Sequence, residues 1–151
     1  SFSLWFKTST TGLEQTIFDS GGHSASFGGV VIYLFTNNIL RFRTATGSPT
    51  NTAYTDDGTT NVADGEWHHL LLSFSSNGDY FINLDGNEEM SGTSNATFTQ
   101  PYDTPILGAY IGATNLLEFT GDIDHVRIFD RALDGTEAYQ LYAEGARGTG
   151  L

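Results

Sequence analysis

Across Phe2–Lys7 apolar and polar positions alternate: Phe2, Leu4 and Phe6 fall on one side, Ser3, Trp5 and Lys7 on the other. A period of two predicts a strand with one buried face. The same alternation returns at Leu70, Leu72 and Phe74 and again at Tyr80, Ile82 and Leu84. Residues 64–86 therefore read as two strands joined by an Asn77-Gly78 turn and closed by a second turn at Asp85-Gly86. Both dipeptides supply the positive backbone angles of a two-residue hairpin turn. Gln15–Asp19 predicts a short strand. Residues 30–35 are apolar on both faces, as in a central strand. Asn37-Asn38 then turns the chain into a strand over Ile39–Ala45, where Leu40 and Phe42 share one face and Arg41 and Arg43 the other. Residues 106–111, 116–119 and 122–129 predict the closing strands. The polar stretches 20–29, 46–65 and 91–105 read as loops, the second long enough to suggest function.

One helix is predicted near the end. Asp134 is an N-cap, and Glu137 three residues later completes a capping box. Leu133 and Ala138 fit a hydrophobic staple, Leu141 and Tyr142 give an apolar face, and Gly145 is read as the stop. The helix is expected to cover an edge or end of a sandwich.

Composition narrows the function classes. With 151 residues the chain is read as one domain, and with no cysteine it has no disulfide, no thiolate metal site and no cysteine nucleophile. The formal net charge is -12, and Lys7 is the only lysine. No basic patch exists for phosphate, so nucleic acid is not an expected partner, nor is an anionic membrane. No apolar run approaches the roughly 18 residues of a membrane span, so membrane insertion is not expected. The acid excess is read mainly as a solvated surface, with a few carboxylates available for calcium.

Several segments occur in a telling order: SFSLWFKTS, IFDSGG, DGEWHHLLLSF, DYFINLDG and GDIDHVRIFDRAL. The set resembles laminin-G-like, concanavalin A-like jelly-roll domains, above all a bacterial and marine subgroup. Gly121, Ile123, Asp124, Arg127, Arg131, Ala132 and Leu133 match that subgroup's ending. The resemblance implies an all-β, two-sheet antiparallel jelly-roll sandwich over residues 1–151 with one short C-terminal helix. It also implies an extracellular or cell-surface setting among other domains of a larger protein. Relatives carry a further strand before the segment that opens this chain. The chain is thus expected to be a fragment with an uncovered N-terminal strand edge, able to pair with another chain. His125 stands where relatives often carry a second acid.

The fold hosts many functions, so function must come from a site. Glucanases on this fold carry a Glu-x-Asp-x-Glu strand, which is absent here. Glu88 and Glu89 are adjacent and would point oppositely on a regular strand, so no hydrolase centre is expected. The four histidines lack zinc-ligand spacing. His68 shares the parity of Leu70 and is expected to pack inward, bonded to a backbone group, with His69 facing a ligand. For a carbohydrate ligand the candidates are Arg41, Arg43 and His69 on a sheet face, with Tyr33 read as core, and Tyr54, Tyr102 and Asp103 on loops. Two arginines on one strand face of so acidic a chain either pair with acids or face an acidic polysaccharide. For calcium, which takes 6–8 oxygens, the candidates are Asp124, by the resemblance, then Asp19, Asp56 and Asp57. The expected role is a non-catalytic carbohydrate-binding or adhesion module, calcium-stabilised. The alternatives are an architectural domain without a small ligand and a relative of polysaccharide hydrolases.

Overall fold

The computed structural model describes residues 1–20, 29–45, 54–94, 105–109 and 117–149. Among these, the strands form two five-stranded antiparallel sheets. In spatial order the first sheet holds β10 (Asp122–Ile128), β1 (Phe2–Lys7), β6 (Trp67–Phe74), β7 (Asp79–Leu84) and β8 (Asn87–Thr93). The second holds β5 (Tyr54–Asn61), β4 (Ile39–Ala45), β3 (Gly29–Leu34), β2 (Gln15–Asp19) and β9 (Ile106–Leu107). One helix, α1 (Gly135–Thr149), follows.

The alternating positions become the core. Phe2, Leu4 and Phe6, Leu70 and Leu72, and Tyr80, Ile82 and Leu84 meet Val30, Ile32, Leu34, Leu40 and Phe42 between the sheets. Phe2 stacks on Phe18 at 4.2 Å and Phe42 on Tyr80 at 4.4 Å. Each such side chain contributes about 1.5–3 kcal/mol when fully buried, and the jelly-roll sandwich expected from the sequence is what they build.

The hairpin turns differ from expectation in detail. Of Asn77 and Gly78, only Gly78 has a positive φ (93°), and its N–H donates to the Ser75 carbonyl. This is a type I turn followed by a left-handed residue, the geometry of a longer hairpin loop. Asp85-Gly86 does take positive φ at both residues, 51° and 81°.

Three larger expectations are corrected. Residues 54–61, inside the stretch read as loop, form β5, and residues 91–93 complete β8. Both are edge strands whose polar residues reflect pairing on one side only. Glu89 of β8 ties them together, accepting the N–H groups of Thr59 and Thr60 at 2.5 and 2.8 Å and the Thr60 hydroxyl at 2.8 Å. β1 is not an uncovered edge, because it lies between β10 and β6. Finally, α1 covers a face rather than an edge, and Gly145 does not stop it.

The helix start is as expected. Glu137 N–H donates to Asp134 Oδ1 at 2.9 Å, and Asp134 N–H to Glu137 Oε2 at 3.1 Å. Leu133 and Ala138 bury together with Leu71, on the outer side of the first sheet. There Trp5 stacks on Tyr142 at 5.8 Å. Gly145 lies against Trp5, and a Cβ at that position would sit 2.6 Å from Trp5 Cε2, inside van der Waals contact. The glycine is there for close approach, so the helix runs through it to Thr149.

Candidate functional site

In an antiparallel pair, residues directly opposite each other share a face. With Leu40, Phe42 and Thr44 turned to the core, Arg41 and Arg43 point outward from the second sheet. Register then sets two cross-strand lines on this outer face. One runs Thr16, Tyr33, Arg41, Asp57; the other runs Asp19, Val31, Arg43, Thr55. Tyr33 and Val31 are buried yet lie outside the core between the sheets. Tyr33, read from sequence as core, is therefore a neighbour of both arginines' strand on the outer face. Strict in–out alternation along β3, matched to β4, was the signal that could have placed it there.

The two arginines have different fates. Arg41 closes a fork on Asp57, with Nε–Oδ1 at 2.5 Å and Nη2–Oδ2 at 2.8 Å, and its Cζ lies 3.5 Å from the centre of the Phe35 ring. The guanidinium holds the Asp57 carboxyl below the usual carboxylate range, and that bond raises Arg41 in turn. Burial pushes the Tyr33 hydroxyl up, against the pull of Arg41. Arg43 is exposed beside exposed Thr55 and, among the described residues, makes no ion pair. Thr16 Oγ1, at the end of the Tyr33 line, is buried without a hydrogen-bond partner among the described residues.

His69 does not join this face. It lies on β6 of the other sheet, 1% exposed beneath α1, with Nε2 2.9 Å from Ser3 Oγ. Its parity pointed outward, as read, but the helix covers that side. Burial, with Arg127 nearby, brings its imidazole down to about 4 against the opposing field of Asp85. Nδ1 has no partner. His68 does pack inward, but onto carboxylates rather than a backbone group: Nδ1 is 2.7 Å from Asp85 Oδ2 and Nε2 3.2 Å from Asp64 Oδ1. Burial pulls it down, yet the two carboxylates win and its pKa is raised.

Tyr54 is on β5, not a loop, and faces inward opposite Thr44. Its hydroxyl meets that of Tyr80 at 2.9 Å, and Tyr80 donates to Asp56 Oδ2. Tyr102 and Asp103 lie outside the described residues.

The four candidate calcium ligands are dispersed. Asp56 and Asp57 serve Tyr80 and Arg41. Asp19 is 2% exposed at the end of β2. Asp124 sits on β10 with its side chain 62% exposed, accepting the His125 N–H at 2.7 Å. Among the described residues no three histidine, aspartate or glutamate side chains gather closely enough to hold a metal ion, so these four do not form one cage. On the outer face of the second sheet the carboxylates of the two lines, Asp19 and Asp57, are three strands apart, about 14 Å by strand spacing. Paired glycosidase carboxylates stand about 5–9.5 Å apart.

Solved structures share this architecture. The CBM40 module of the Ruminococcus gnavus IT-sialidase superposes with a TM-score of 0.73 at 15% identity, covering 93% of this chain and 80% of that one. Domain 4 of AbnA, a GH43 extracellular arabinanase of Geobacillus stearothermophilus solved with arabinotriose, gives 0.69 at 26% identity, covering 93% and 65%. Domains LG4-5 of the mouse laminin alpha1 chain give 0.66 at 17%, covering 89% and 36%. No curated protein matches in sequence. Residues 1–138 match the laminin G family model of this fold, and the chain belongs to the concanavalin A-like lectin/glucanases superfamily.

Proposed function

We propose that this domain is a non-catalytic carbohydrate-binding module, working beside other domains of a longer extracellular or cell-surface protein. The observation that carries the reading is the outer face of the second sheet, where Arg43 and Thr55 reach solvent beside the fixed Arg41–Asp57 fork. Guanidinium and hydroxyl groups there can donate to sugar oxygens, and a fork already locked by Phe35 loses little freedom on binding. Two of the similar structures support the ligand class: CBM40 is known bound to alpha2,3 sialyllactose, and AbnA domain 4 to arabinotriose. The wide separation of Asp19 and Asp57 supports a binding rather than a hydrolytic role.

A glycan array followed by calorimetry tests the reading. Binding to at least one glycan class, weakened about tenfold or more by Arg43→Ala, supports it. Silence across the array leaves an architectural role. Calcium is the accessory part of the proposal and rests on Asp124 and Asp19. Thermal unfolding in calcium and in EDTA tests it, since an ion held by the native state raises the midpoint; identical midpoints remove it.

A further inference from the structure

We infer that the ligand of this face carries a carboxylate, and that Arg43 is the group that receives it. The inference rests on the carbohydrate reading above and narrows it to acidic sugars.

Cationic side chains are scarce in this chain, which has five arginines and one lysine against 18 acids. Arg41, Arg127 and Arg131 each hold a carboxylate, those of Asp57, Glu144 and Glu137. Arg147 stands in the last turn of α1, where the helix dipole favours a cation. Arg43 has neither kind of partner among the described residues. With acids in threefold excess, an arginine without one is not short of candidates. Its position keeps them away: it faces out from β4, opposite Val31 and Thr55, which carry no charge. The carboxylate of its line, that of Asp19, is buried two strands away, roughly 10 Å by strand spacing. The adjacent acid, Asp57, is already held by both edges of its carboxylate on Arg41.

Among the described residues, the face therefore presents a guanidinium without an ion pair next to a neutralised pair. A planar guanidinium matches a carboxylate with two parallel N–H···O bonds. The Thr55 hydroxyl, directly opposite Arg43, adds a group that suits a sugar hydroxyl rather than a bare ion. An acidic sugar satisfies both, whether its carboxylate belongs to a uronic acid or to a sialic acid.

The test compares acids with their neutral counterparts by calorimetry on the whole chain: oligogalacturonate against its methyl ester, alpha2,3 sialyllactose against lactose, and arabinotriose as a sugar without a carboxylate. The expected result is at least tenfold tighter binding of one acid than of its neutral counterpart. That preference should disappear in Arg43→Ala and survive in part in Arg43→Lys. Which acid shows it identifies the source of the carboxylate. Circular dichroism of Arg43→Ala should match the parent, since the side chain is exposed. Equal affinity for acid and neutral forms, or an acid preference that survives Arg43→Ala, overturns the inference while leaving a carbohydrate module in place. Failure to bind any of these sugars or any array glycan overturns both.

Discussion

At the scale of single residues, the adjacent histidines behave oppositely. His68 lies between two carboxylates and is raised, so its contribution is complete below about pH 6.5 and is lost as pH rises through its folded value. His69 is buried neutral and depressed to about 4. The unfolded imidazole takes up a proton near pH 6.5 while the folded one refuses it, so this contribution is lost as pH falls from about 6.5 to 4. The second effect amounts to roughly 3 kcal/mol. Urea unfolding across pH should show stability falling on both sides of about pH 6.5, and His69→Gln should flatten the acid limb. An unchanged acid limb would mean that other groups set it. Parity along β6 correctly separated the two side chains. What it could not show was the helix lying over His69, since that contact comes from residues some seventy positions away.

Elements were legible where local chemistry specified them. The capping box of α1 and the alternation of β1, β6 and β7 formed as read. β5 was not legible, because its sequence, YTDDGTTN, lacks an apolar face. It is held by β4 on one side and by the Glu89 carboxylate from the opposite sheet. Missing β5 also hid the partner of Arg41, since Asp57 lay in what read as loop; the shared face of the arginines was visible, their separate fates were not. Gly145 shows the same limit. In an isolated helix Gly→Ala gains about 1 kcal/mol. Here the added methyl strikes Trp5, so Gly145→Ala should destabilise by about 1–3 kcal/mol. Denaturant unfolding measures the loss, and Trp5 emission should shift as its ring is pushed from the helix. A stabilised variant would mean that the helix moves aside freely.

For the whole molecule, a net charge of -12 sets self-repulsion against the compact state. At low ionic strength few counter-ions screen it, and the compact state suffers more than the extended one. The unfolding midpoint should therefore rise as sodium chloride is raised from about 10 to 200 mM, a range over which the Debye length falls from roughly 30 Å to less than 10 Å. A falling midpoint would show instead that the ion pairs of Arg41, Arg127 and Arg131 outweigh the repulsion.

The place of β1 between β10 and β6 has a further consequence, for the route by which the chain reaches this fold. Phe2 is opposite Leu72 on one side and Ile128 on the other. During synthesis β1 is made before both of its partners: it pairs first with β6 and completes its second ladder only when the chain has been made as far as β10. Pairings so distant in sequence slow folding, because the entropy of loop closure is lost before any contact forms to offset it. In the interval the Phe2, Leu4 and Phe6 face is exposed to water. This segment is thus without either neighbouring strand until β6 has been made, which makes it a natural site for a chaperone to hold.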